Sequence, residues 1–105
     1  MKRGDVYWYT FKAPGKRRPV LILTRTSAIS YLNALTVAPI TTTVRDIPSE
    51  VCLSHEEGLL SDCAANLDNI QTVPKAQLDG LITTLSSLRM QEVNQALAFA
   101  LGMDS

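Results

Sequence analysis

The apolar positions of this 105-residue chain change period once. Up to Leu85 they form short runs of strand length; beyond it they recur at three- and four-residue steps. Val6 to Phe11 is rich in β-branched and aromatic residues and predicts a strand, with Pro14-Gly15 forcing a turn after it. Alternation puts Tyr7 and Tyr9 on one face and Trp8 on the other, and Trp8 is expected to be the packed one. Pro19 opens Val20 to Thr24, a continuous apolar run that predicts a central strand buried on both faces. Ser27 to Leu32 has room for one helical turn. Leu35 to Thr43 and Glu50 to Leu53 predict further strands. Cys63 to Ala65 and Asn69 to Val73 read as two short strands or one bent one, and Leu81 to Leu85 follows an Asp79-Gly80 turn. Ser86 or Ser87 then caps a helix carrying Met90, Val93, Leu97, Ala100 and Leu101, with Gly102 where a C-terminal cap glycine belongs. Several short strands and one terminal helix predict a mainly β fold, a small barrel closed by that helix, with residues 1–105 as one domain.

Composition adds exclusions. Apolar residues are 46% and charged ones 19%, ordinary for a globular protein. No apolar run approaches the roughly 20 residues of a membrane span. Met1-Lys2-Arg3-Gly4-Asp5 is basic but has no apolar stretch behind it, so a cytoplasmic protein is expected. Cys52 and Cys63 form no C-x-x-C and are expected as free, partly buried thiols. With His55 they are the only soft metal ligands, too few for a structural zinc site.

Charge changes the picture more. The formal net charge is zero, which alone argues against a nucleic-acid partner. Yet residues 1–45 carry eight cations against Asp5, or +7, while residues 46–105 carry two cations against nine carboxylates, or −7. A neutral chain therefore has the means to present a basic face, unless folding intermixes the halves.

Familiar active-site patterns are missing: there is one histidine, no G-x-S-x-G, no phosphate-binding P-loop and no G-x-G-x-x-G. His55 sits in the polar Ser54-His55-Glu56-Glu57-Gly58 and is expected to be a solvated loop residue. Two segments carry more. Lys16-Arg17-Arg18 stands at the mouth of the buried strand, where a guanidinium fork suits phosphate, although spacing alone favours a solubilising strand-end charge. Pro39-Ile40-Thr41-Thr42-Thr43 follows a buried strand, with Thr41 and Thr43 on one face; threonine is also common in strands for packing reasons.

In succession, Arg3-Gly4-Asp5-Val6-Tyr7-Trp8, Arg18-Pro19-Val20-Leu21-Ile22-Leu23 and Pro39-Ile40-Thr41-Thr42 resemble the motifs of the MazF/PemK (Kid) toxin family. Leu67-Asp68-Asn69-Ile70-Gln71-Thr72 resembles its later acidic–amide strand, and Leu85 through Gly102 its closing helix. The resemblance covers nearly the whole chain, in order and with compatible spacing. It implies an SH3-like β-barrel (CcdB/PemK-like) with a C-terminal helix, assembled as a homodimer and acting as the toxin of a type II toxin–antitoxin system. The implied activity is sequence-selective cleavage of single-stranded RNA without metal or other cofactor, silenced by a MazE-like antitoxin whose tail blocks the RNA groove. Carried over, the catalytic Arg falls on Arg18, the catalytic Thr on Thr41, and the base-contacting residues on Asp68 and Asn69, with Gln71 on the face of Asn69. Lys12, Lys16 and Arg17 are then expected on RNA phosphates, with Tyr7 available for stacking. Asp68-Asn69 is also a pair that favours turns.

The chain departs from the family between Phe11 and Arg18. Only Lys12-Ala13-Pro14-Gly15-Lys16-Arg17 stands where many members carry a longer Gly-rich loop with an acidic residue. Two other readings stay open on sequence alone: a non-enzymatic inhibitor of DNA gyrase on the same barrel, like CcdB, and an RNA-binding module without activity. Arg18 and Thr41 in their motif positions favour the enzyme.

Overall fold

The computed structural model describes residues 1–12 and 16–103; the Pro14-Gly15 turn lies outside the described residues. Seven strands form one antiparallel, curled sheet: β1 (Asp5–Thr10), β2 (Arg17–Ile22), β3 (Ala34–Thr41), β4 (Glu50–Leu53), β5 (Cys63–Asn66), β6 (Gln71–Pro74) and β7 (Asp79–Thr84). The order is β4-β5-β3-β2-β1-β7, with β6 also paired to β3. A one-turn helix, α1 (Thr26–Ile29), precedes β3, and α2 (Ser87–Ala100) closes the fold. The mainly β barrel-like architecture with a terminal helix is thus the one expected.

Period-two alternation along β2 and β3 produces two apolar faces. Val6, Leu21, Leu23, Ala38, Ile40, Val51 and Leu53 form the larger cluster, against which α2 packs. Val20, Ile22, Leu35, Val37 and Val73 form the second with Ile29, flanked by Tyr7, Tyr9 and Phe11. The continuous run Val20-Leu21-Ile22 has no exposed surface because it feeds both clusters. Fully burying one such aliphatic side chain contributes roughly 1.5–3 kcal/mol, so these central positions dominate stability.

Four local differences from the sequence reading have clear causes. β2 begins at Arg17, two residues before Pro19, because Pro19 is accommodated opposite Trp8 inside the ladder. Asp79-Gly80 is part of β7 and not a turn. Its partner register jumps from Val6–Thr83 to Tyr7–Leu81 and Trp8–Asp79, and Gly80 takes φ +78° within that irregular stretch. Asn69 ends a 3-10 turn, Leu67–Asn69, before β6 begins at Gln71. Trp8, expected to pack, is half-buried, whereas Tyr7 is packed against the second cluster.

Helix α2 starts as predicted, with the Ser86 hydroxyl accepting from the Arg89 N–H at 3.2 Å. Gly102 has φ +72°, the left-handed conformation that ends helices. Val93 and Ala96 are its buried residues, Met90, Leu97 and Ala100 pack beside them, and Leu101 is exposed. The stripe therefore gains Ala96 and stops short of Leu101. No helix among the described residues is long and apolar enough to cross a membrane.

An ionic clasp joins α2 to the turn His55–Glu57. Ser54 and Glu57 form a capping box, and Arg89 pairs with Glu57 at 3.2 Å and with Glu92 at 2.7 Å. Burial pushes the Glu57 carboxyl upward, but the Ser54 N–H and the Arg89 guanidinium outweigh it and hold the group below the usual carboxylate range. His55 is exposed on this turn, as expected of a loop residue.

Candidate functional site

Arg18 occupies the second position of β2 and faces Tyr9 across the ladder with β1. Alternation puts it on the face of Val20 and Ile22, beyond the end of the second cluster. Gln71 reaches the same face from β6, opposite Val37, and Pro39 does so from β3, opposite Val20. With Phe11, Lys12, Lys16 and Asn69 these residues line an open pocket of about 440 Å³. Phe11 is held edge-on by Tyr9, ring centroids 4.9 Å apart, and its N–H donates to the Lys16 carbonyl at 2.9 Å. That bond brings Lys12 and Lys16 to one rim.

The electrostatics of this pocket follow from what its cations lack. Seven of the ten Lys and Arg side chains are engaged: Lys2 with Asp5, Arg3 with Asn94, Arg17 with Asp79, Arg25 with Tyr31, Arg45 with Glu50, Lys75 with the Ile29 carbonyl and Arg89 with Glu57. Among the described residues the side chains of Lys12, Lys16 and Arg18 have no ion-pair or hydrogen-bond partner. All three line the same pocket, and no carboxylate does. Three cations without side-chain partners around an open cleft, with the amides of Asn69 and Gln71 beside them, give the pocket the chemistry to hold an anion and to hydrogen-bond its neutral parts.

The structure gathers Arg18, Lys12, Lys16, Asn69 and Gln71 and places the other predicted residues elsewhere. Arg17, one residue from Arg18, points to the opposite face, where its guanidinium lies 4.4 Å from the Trp8 ring centroid and 3.5 Å from Asp79. Tyr7 is committed to the second cluster. Asp68 is turned to Ser49, whose hydroxyl donates to it at 2.5 Å, and does not line the pocket. Thr41 ends β3, paired with Ala64 of β5; the β2–β3 ladder stops at Val20–Pro39, two residues short of it. Its hydroxyl accepts from the Thr43 N–H at 3.1 Å, which leaves its own proton free to donate. Thr41 lines a separate apolar pocket of about 190 Å³ with Trp8, Pro19, Ile40 and Leu60. Phe11 and Pro39 are the pocket residues that sequence reasoning did not assign to the site, although the two-residue spacing of Phe11 from Tyr9 was a signal for this face.

Cysteine chemistry stays apart. Leu53 faces Cys63 and Cys52 faces Ala64 in the β4–β5 ladder, so the two thiols point to opposite faces and are free. Cys63 is buried and pushed up to about 11, chiefly by burial and then by the Asp62 and Glu57 charges; Cys52 is exposed rather than partly buried. Among the described residues no three His, Cys, Asp or Glu side chains are grouped to hold a metal ion.

A curled antiparallel sheet backed by one helix, with a cationic pocket where β2, β3 and β6 meet, defines a small barrel protein whose open cleft is chemically suited to an anion. The family model for the PemK-like, MazF-like toxin of type II toxin–antitoxin systems matches residues 2–101, and the chain belongs to that family. It is 39% identical over 103 residues to the probable endoribonuclease MazF2 of Mycobacterium tuberculosis, covering 97% of this chain and 99% of the relative. It is 38% identical over 99 residues to the probable endoribonuclease MazF5 of the same organism, covering 93% and 90%. Among solved structures, the Mycobacterium tuberculosis toxin MazF-mt6 superposes with a TM-score of 0.86 at 35% identity, covering 93% of this chain and 96% of that one. A mycobacterial endoribonuclease in complex with its cognate antitoxin superposes with a TM-score of 0.88 at 29% identity, covering 98% and 96%.

Proposed function

We propose that this chain, as one toxin domain, is a cytoplasmic endoribonuclease that cuts single-stranded RNA at selected sequences and thereby arrests growth. The observation that carries this reading is the convergence of three uncompensated cations and two amides on one open pocket. Phosphates are met by Lys12, Lys16 and Arg18, base edges by Asn69 and Gln71. The mycobacterial relatives named as endoribonucleases support the reaction class, and the relative bound to its cognate antitoxin supports a homologous partner that silences this chain as a homodimer by covering the RNA groove.

RNA brings its own nucleophile. The 2′-oxygen attacks the adjacent phosphorus, a P–O2′ bond forms, the P–O5′ bond breaks, and the products are a 2′,3′-cyclic phosphate and a 5′-OH end. Arg18 faces the charge that builds on the phosphoryl oxygens; a preorganised cation at that point is usually the largest single contribution to rate. Its guanidinium acts as an electrostatic clamp and a hydrogen-bond donor at the leaving 5′-oxygen, not as a base. Water in the open pocket takes the 2′-OH proton, and water gives a proton to the 5′-oxygen as the P–O5′ bond breaks. We assign Thr41, two residues along β3 from the pocket residue Pro39, to hydrogen-bond a non-bridging oxygen through its hydroxyl.

The test is incubation of the purified protein with mixed-sequence RNA in EDTA, followed by mapping of 5′-OH ends. The expected result is cleavage at a restricted set of sequences, and none where the nucleotide 5′ to the cut carries a 2′-deoxyribose. An RNA left intact at every salt concentration overturns the proposal.

A further inference from the structure

We infer that Asp68 is a positioning residue: held by Ser49, it fixes the turn that presents Asn69 to the pocket, and so sets base selection without touching RNA. This rests on the nuclease reading above and extends it, since the acidic–amide segment is otherwise expected to contact bases through Asp68 itself.

Three hydrogen bonds lock the Leu67–Asn69 turn. The Ser49 hydroxyl donates to Asp68 Oδ2 at 2.5 Å, the Leu67 N–H donates to the Ser49 carbonyl at 2.9 Å, and the Asp68 N–H donates to Asn66 Oδ1 at 3.0 Å. Ser49 is 1% exposed and Leu67 1%, so the turn is bolted to the interior at two points while Asp68 caps it from the surface. Downstream, Gln71 is held by the β3–β6 ladder, opposite Val37. Asn69 stands outside any strand ladder, so its presentation to the pocket depends on the turn alone.

Charge supports the same assignment. A carboxylate on the pocket wall would oppose Lys12, Lys16 and Arg18 and repel phosphate; committed to Ser49, Asp68 stays off that wall. The mount is shared with the other side of the site. Ser49 ends the segment that begins after Thr41, and the next residue, Glu50, accepts from the N–H groups of Arg45 and Asp46 at 2.9 and 3.2 Å.

A double-mutant cycle separates positioning from direct reading. Ser49→Ala, Asp68→Ala and the double variant are compared with wild type for cleavage-site preference on mixed-sequence RNA, for kcat against KM, and for amide exchange of Leu67 and Asn69. Each single change should weaken discrimination at one nucleotide position about tenfold while leaving kcat at the preferred site within a few-fold, the double variant losing no more than either single one. Asn69 exchange should quicken in both, and Asp68→Asn, whose amide oxygen still accepts from Ser49, should retain selectivity. Wild-type preference in Ser49→Ala beside lost preference in Asp68→Ala overturns the inference and makes Asp68 a base reader. So does unchanged Asn69 exchange in Asp68→Ala, which stands even if Ser49→Ala fails to fold. A wild-type protein inert on RNA overturns the nuclease reading itself, and the exchange rates still report whether Ser49 and Asp68 hold the turn.

Discussion

Consecutive strand residues point to opposite faces, and at Arg17 and Arg18 that rule divides two kinds of work. Arg17 is spent on Trp8 and Asp79; with its side chain 51% exposed and that of Asp79 81%, the pair contributes no more than about 1 kcal/mol. Arg18 has no partner among the described residues and faces the pocket. Arg18→Ala should therefore lower RNA cleavage about a hundredfold or more with the melting temperature preserved, whereas Arg17→Ala should leave cleavage within about threefold. Equal losses in the two variants, measured on one RNA, would refute the division. Lys16-Arg17-Arg18 reads as a single basic cluster in the sequence because Pro19 marks the apparent strand start. Once β2 begins at Arg17, period two separates the two arginines. Tyr7 shares a face with Tyr9 and Phe11 as alternation requires, but that face is core at one end and pocket at the other, and Tyr7 lies at the core end.

Elements were more legible than their junctions. Each run of β-branched and apolar residues became a strand and the change of period became α2, because burial on one or both faces dictates those patterns. What the pattern did not carry was local backbone irregularity. Asp79-Gly80 has turn chemistry, yet Trp8 and Tyr7 pair past it and absorb it as a bulged strand end. Asp68-Asn69, by contrast, keeps its turn character and so ends the strand expected to include Asn69. The clasp between α2 and the His55–Glu57 turn is a third feature beyond pattern, since it depends on contacts between Arg89 and Glu57 that only the fold creates. It has a measurable signature. A carboxyl whose folded pKa is depressed contributes stability above its unfolded value and loses that contribution as the pH falls through the folded one. Glu57 is such a group, so stability should decline as the pH drops below its usual 4.5. Glu57→Gln should flatten that acid limb in urea unfolding followed across pH, and parallel pH profiles for the two proteins would show that the clasp is not its source.

At the scale of the molecule, the +7 and −7 halves are only partly intermixed. Arg17–Asp79 and Arg45–Glu50 cancel charge across the boundary, and Lys2–Asp5 and the Arg89 pairs cancel it within a half. Of the five basic-half cations with no carboxylate partner among the described residues, Arg3 and Arg25 bond neutral groups and Lys12, Lys16 and Arg18 line the pocket. A protein of zero net charge thus gathers three cations at one site. Three phosphate contacts on a single strand predict that log K for a short RNA falls with log salt at a slope of about −2, lowered by about 0.7 for each of Lys12→Ala and Lys16→Ala. Binding indifferent to salt would contradict the assignment. One closing bond has a consequence for how such a molecule diversifies. The Phe11 N–H to Lys16 carbonyl bond ties the base of the connection between β1 and β2, with Thr10 and Arg17 already paired beneath it. An insertion between Lys12 and Lys16 leaves that bond and the pair beneath it in place, and doubling a loop's length costs only about 0.6 kcal/mol. Insertions at this point should thus be tolerated, adding contacts to neighbouring nucleotides while the cations beneath and the arginine opposite keep their places. A change of recognition sequence therefore need not pass through a change of fold.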